Sequence, residues 1–144
     1  LAAAGLKRLG LAERIRAIFE PTEMLPAAGQ GALGIEVRSD RQDLIAALAP
    51  LADQATWLSV AAERAVSRAM GGSCSMPLAA HATWQGNHLR IDAAWGDTDE
   101  AVPTLPLVCA DLTQPVSDLD AANALGAQVA ALLVARGAKS LRAS

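Results

Sequence analysis

Aromatic side chains are scarce in this sequence. There is no tyrosine, one phenylalanine (Phe19) and three tryptophans (Trp57, Trp84, Trp95), together 3% of 144 residues. A core must therefore be assembled from leucine, valine, alanine and those tryptophans. A base-stacking platform has little to be made from. Cysteine is also rare: Cys74 and Cys109 stand alone, with no zinc-like spacing, which argues against a disulfide scaffold and against a metal site. Positive charge is not in excess. The net charge is −3 and the isoelectric point about 5.3, whereas a nucleic-acid partner calls for a basic face. No apolar run approaches the roughly 20 residues of a membrane-crossing helix. The first residues lack a basic segment followed by an apolar stretch and a cleavage site. The expectation from these absences is a soluble, cytoplasmic protein of a reducing compartment, with neither nucleic acid nor membrane as partner.

Hydrophobic residues make up 52% of the chain, enough for one domain with a core, or one domain plus an appendage. Residues 1–19 read as helical turns broken at Gly10, and Glu20 to Pro26 as a loop. Leu33, Ile35 and Val37 alternate with Gly34, Glu36 and Arg38, which predicts a strand. Ser39 and Asp40 offer an N-cap for a helix carrying Leu44, Ile45 and Leu48. Residues 54–70 predict a helix that buries Leu58, Ala62, Ala65 and Val66 and exposes Glu63, Arg64 and Arg68. A hairpin follows, with strands over Leu78 to Gln85 and His88 to Trp95 and a two-residue Gly86-Asn87 turn. Leu89, Ile91, Ala93 and Trp95 face inward. A third strand is expected from Val102 to Asp111, with Leu105, Leu107 and Cys109 on one face and Cys109 buried as a small hydrophobe. Ser117 with Asp120 resembles a capping box, and the next helix carries Leu125, Val129, Leu132 and Leu133 up to Gly137.

The expected fold class is α+β: a three-stranded antiparallel sheet with helices packed on one face. Residues 1–53 do not complete a domain of their own.

Gly71-Gly72-Ser73-Cys74-Ser75-Met76-Pro77 is the segment most suggestive of chemistry. A thiol in a loop of small residues, between a helix and a strand, suits a nucleophile that carries something covalently. The glycines turn the backbone without a Cβ penalty and leave room for an adduct. An inert free thiol in a turn is the plainer reading of the same residues. Gly29-Gln30-Gly31-Ala32-Leu33-Gly34 fits G-x-G-x-x-G, but a proline-bearing loop precedes it and a strand pattern follows, so it is not read as a dinucleotide site. His81 and His88 have no partner at ligand spacing.

Ala62-Glu63-Arg64-Ala65, the Gly-Gly-Ser-Cys loop and Pro77-Leu78-Ala79-Ala80 resemble the porphobilinogen deaminase (hydroxymethylbilane synthase) family. Two further segments match it in order: Ala4-Gly5-Leu6-Lys7-Arg8-Leu9-Gly10-Leu11 and Leu25-Pro26-Ala27-Ala28-Gly29-Gln30-Gly31-Ala32-Leu33-Gly34-Ile35-Glu36. The family's chains are longer, and the matches fall in their second half, so the chain is expected to be a C-terminal fragment. The resemblance implies three parts. Residues 1–25 would be the end of the second domain, and 26–53 a hinge and a strand–helix return into the first. Residues 54–140 would be the C-terminal, cofactor-carrying domain.

The activity implied is a transferase that joins four porphobilinogen molecules into hydroxymethylbilane, releasing ammonia, for tetrapyrrole biosynthesis. A dipyrromethane primer would be thioether-linked to Cys74. Arg8 would bind a substrate carboxylate, since a planar guanidinium suits that group. Gln30 would hydrogen-bond a pyrrole carboxylate or the cofactor's edge. No catalytic aspartate matches within these residues; the family's lies upstream, as do its other domains. The isolated chain is expected to be inactive and the full-length enzyme monomeric. Two rivals from other classes remain: a small α+β interaction or RNA-binding module, and a regulatory domain binding a small acid through Arg8.

Overall fold

Periodicity alone accounts for the first of the two long helices. In the computed structural model, which describes residues 2–72, 76–96 and 106–139, helix α3 runs Gln54–Met70 and buries Leu58, Ala62, Ala65, Val66 and Met70. These recur every three or four positions, so they form one apolar stripe. Its start is set by Asp53, whose Oδ1 accepts the Thr56 N–H at 2.7 Å. Its end is set by Gly71 and Gly72, at φ +127° and +67°, with the Gly72 N–H closing on the Ser67 carbonyl at 2.9 Å.

Strands β1 (Leu78–Gln85) and β2 (His88–Trp95) form the expected hairpin, paired Leu78↔Trp95 through Gln85↔His88. Gly86 in the turn has φ +62°. β3 (Val108–Pro115) pairs antiparallel with β2, giving the order β1-β2-β3. Leu89, Ile91, Ala93 and Trp95 of the central strand are all buried. Helix α4 (Leu119–Ala135) lies with α3 on that face and buries Leu125, Val129 and Leu133. It terminates at Gly137, φ +107°, which folds Ala138 back to the Leu133 carbonyl at 2.9 Å. The two helices approach closely at Gly126, where an ideal Cβ would stand 2.6 Å from Ala65 Cβ. The architecture is the expected α+β one, with both long helices on one face of a three-stranded antiparallel sheet.

The first third of the chain is built differently. Among the described elements, α1 (Ala3–Arg8) packs only on the adjoining turn Ala12–Arg14, and α2 (Gln42–Leu48) only on the turn Ala49–Leu51. Large apolar side chains stay exposed there, among them Leu9, Phe19, Leu33 and Leu51.

Several expectations need correction. Residues 33–37 alternate but form no strand, because among the described residues no second strand lies beside them. Leu33 is accordingly 91% exposed. Arg41, not Ser39 or Asp40, is the N-cap position of α2, and it makes no side-chain cap; Asp40 pairs with Arg38 instead. β3 starts at Val108 rather than Val102, and the expected positions 102–105 lie outside the described residues. The register Ala94↔Cys109 puts Ala110 inward and leaves Cys109 exposed on the opposite face, contrary to the buried thiol expected. The cap of α4 is Asp118, which accepts the Ala121 N–H at 2.8 Å while the Ser117 hydroxyl donates to its other oxygen. Glu63 is not on an exposed face: it is 6% exposed, in the interior.

Candidate functional site

The cysteine loop is held at both ends. On one side α3 stops at the two glycines, and an ideal Cβ on Gly72 would meet nothing within 4 Å. That open space suits a bulky group on a neighbouring residue. On the other side Met76 is buried and Pro77 leads into β1, its carbonyl accepting the Gly96 N–H at 2.8 Å. Cys74 itself lies outside the described residues.

Gln30 is exposed on a turn that it braces itself. Its side-chain Oε1 accepts the Ala27 N–H at 3.1 Å, and its own N–H donates to the Ala27 carbonyl at 3.0 Å. The turn rests on the α3–sheet body through Gly29, whose N–H donates to Glu63 Oε2 at 2.6 Å. Gly29 has φ +77°, and an ideal Cβ there would come 3.5 Å from Arg64 Nε, so the turn's backbone lies against α3.

Arg8 ends α1 and is exposed to solvent. Among the described residues α1 packs on no element of the body, and Arg8 is not brought to Gln30. An exposed guanidinium remains able to take a carboxylate bidentately.

Glu63 is the residue that sequence reasoning misplaced. Its Oε1 accepts the Ala82 N–H at 2.8 Å, and His81 Nδ1 stands 3.7 Å from the same oxygen. The signal was available: Glu63 lies three and seven residues before Val66 and Met70, on the stripe that must be buried. His81 therefore has a carboxylate neighbour that local spacing did not reveal. Among the described residues no group of three or more His, Cys, Asp or Glu side chains is arranged to hold a metal.

Among the described residues the outer face of the sheet offers no basic or aromatic platform. Arg90 is spoken for by Asp92 at 2.6 Å and Asp111 at 3.3 Å, and these carboxylates hold its guanidinium above its usual pKa. The RNA-binding alternative is therefore not favoured. Among the described residues no single helix is long and apolar enough to cross a membrane.

Comparison with known proteins agrees with the order of the motifs. The family model described as "Porphobilinogen deaminase, dipyromethane cofactor binding domain" matches residues 1–46. The one described as "Porphobilinogen deaminase, C-terminal domain" matches residues 57–135, more than half of the chain. The porphobilinogen deaminase of Albidiferax ferrireducens is 72% identical over 131 residues, covering 91% of this chain and 41% of that protein. That of Paraburkholderia phytofirmans is 52% identical over 143 residues, covering 98% and 40%. That of Burkholderia thailandensis is 63% identical over 101 residues, covering 70% and 31%. The chain thus spans about 40% of the length of the first two relatives. Two consecutive family matches, the first of which contains the turn that Glu63 of the second holds, place the chain in the porphobilinogen deaminase family.

Proposed function

We propose that this chain serves as the cofactor-carrying part of a transferase that condenses four porphobilinogen molecules into hydroxymethylbilane, with release of four ammonia, in tetrapyrrole biosynthesis. The observation that carries this reading is the pair of family matches in sequence order, which leaves little of the chain unaccounted for. Residues 54–140 form the cofactor-carrying domain in this reading, 26–53 the hinge and return segment, and 1–25 the end of a preceding domain.

Cys74 is the point of attachment. Its sulfur displaces ammonia from a first porphobilinogen, forming a carbon–sulfur bond, and a second unit joins the first with loss of a second ammonia. A thioether suits a permanent tether because thiol reductants do not cleave it. The bound dipyrromethane supplies a free pyrrole terminus to which units can be added. The glycines at 71 and 72 leave space beside the tether, in keeping with the open surroundings of Gly72. Arg8 takes a pyrrole carboxylate through paired hydrogen bonds. Gln30, on its braced turn, offers an amide to a second one.

The acid that protonates the leaving amine has no counterpart assigned in these residues. The reaction therefore draws on the remaining three fifths of length that the relatives possess. The 144 residues alone have no turnover in this reading. The enzyme in which they act is cytoplasmic and monomeric, taking porphobilinogen as its small-molecule partner.

A graft tests this. The matching part of the Albidiferax ferrireducens relative is replaced by this chain, and porphobilinogen consumption and ammonia release are measured. The expected result is turnover by the graft, none by the isolated chain, and none by the graft carrying Cys74→Ser. Unimpaired turnover by the Cys74→Ser graft would contradict the assignment.

A further inference from the structure

The open edge of β1 is where the first part of the chain meets the second. An edge strand leaves alternate backbone groups without a ladder partner. Here two of the edge-facing amides have partners outside the sheet. The Ala80 N–H donates to the Pro26 carbonyl at 3.1 Å, and the Ala82 N–H to Glu63 Oε1 at 2.8 Å. The other oxygen of the same carboxylate takes the Gly29 N–H at 2.6 Å. One buried side chain is therefore shared between helix, strand edge and turn. Ala28 adds an apolar contact with the core. Among the described elements, α1 and α2 pack only on their own adjoining turns, so this turn is the main hold of the first third of the chain on the body.

We propose that Glu63 is a positioning residue, a clasp that fixes the Pro26–Gln30 turn on α3 and β1 and can release it without unfolding the sheet. A carboxylate suits the task. It is acceptor-only, so both oxygens can be given to amide N–H groups, and charge-assisted bonds of this kind are stronger than neutral ones. The positive φ of Gly29, +77°, turns its backbone onto α3, where Val60 and Arg64 stand at ordinary contact distance; a side chain there would be strained by the backbone angle and not by crowding. His81 stands beside the clasp, its Nδ1 3.7 Å from Glu63 Oε1. Gln30 is carried by the same turn, so its orientation is set by a residue 33 positions later in the chain. This inference is independent of the reaction proposed above.

Native-state hydrogen exchange on the 144-residue chain tests it, read at Gly29 and Ala80 for the turn and at Ile91 and Leu125 for the body. With Glu63→Ala the turn amides should exchange roughly ten- to a hundredfold faster, the effect of losing a bond to a charged group, while the body amides keep their rates. Glu63→Gln keeps one acceptor oxygen and should give a smaller acceleration. Gly29→Ala attacks the joint from the turn side without touching the carboxylate; Ala80 should again accelerate alone. This variant carries the test if Glu63→Ala does not fold. Wild-type rates at Ala80 in Glu63→Ala or in Gly29→Ala would overturn the proposal. So would equal acceleration of Ile91 and Leu125 in every variant that folds, which would make the carboxylate a strut of the body.

Discussion

Replacing Gly126 by alanine separates helix propensity from packing. In a helix interior the change ordinarily stabilises by about 1 kcal/mol, because glycine loses more freedom on folding. Gly126 is in the middle of α4 and buried against α3. An ideal Cβ there would stand 2.6 Å from Ala65 Cβ and closer still to the Ala62 carbonyl oxygen. Carbon atoms pack at about 3.5–4.0 Å, so the helices must part by on the order of 1 Å. Overpacking costs about 1–3 kcal/mol, and the upper end applies where the obstacle is backbone that has no rotamer to escape into. After the propensity gain, a net loss of about 2 kcal/mol remains. For a body of this size that lowers Tm by about 8–16 °C. Thermal unfolding followed by circular dichroism would show it. Gly5→Ala, on α1 with nothing within 4 Å of an ideal Cβ, is the matched control and should cause no drop. A Gly126→Ala chain that melts at or above the wild-type temperature would refute the close approach of α3 and α4.

Three further outcomes follow from the fold. The carboxyl of Asp118 is held below its usual pKa by the Ala121 N–H and the Ser117 hydroxyl, and that of Asp53 by the Thr56 hydroxyl and backbone N–H. Folded pKa values below the unfolded ones give stability that is present above about pH 4 and lost as pH falls through the folded values. Tm should therefore decline on acidification below about pH 4, and Asp118→Asn, which still caps, should flatten that decline; an unchanged acid profile would contradict the capping role. Cys109 is exposed, so a maleimide should label its peptide in the folded chain; labelling only after denaturation would restore the buried reading. A chain limited to residues 54–144 should still unfold cooperatively, as all helix–sheet packing of the body lies within it. Its Ala82 amide should exchange no faster than in the full chain, because Glu63 remains, whereas Ala80 loses its Pro26 partner.

The body was legible because its cues are local and mutually consistent. The α3 stripe, the Gly-Asn turn and the inward set Leu89, Ile91, Ala93 and Trp95 each follow from short-range periodicity. Errors arose where a distant partner decides. Leu33, Ile35 and Val37 have the alternation of a strand, but a strand exists only with a neighbour to pair, and none is beside them among the described residues. The extent of β3 was set by its register with β2, which also turned Cys109 outward. Glu63 was misread because its partners, the amides of Gly29 and Ala82, are 34 and 19 residues away. The candidate site residues were legible through motif order rather than geometry: Gln30 sits on a braced turn, Arg8 is on a segment apart from the body, and Cys74 falls outside the described residues.

The central claim, a dipyrromethane tethered through sulfur at residue 74, is tested most directly by peptide mass mapping of the grafted enzyme. The peptide containing Cys74 should be heavier by two porphobilinogen units less two ammonia and resist thiol reductants, and the corresponding peptide of the Cys74→Ser graft should carry no added mass. An active graft whose Cys74 peptide is unmodified, or whose added mass maps to another residue, would contradict the account.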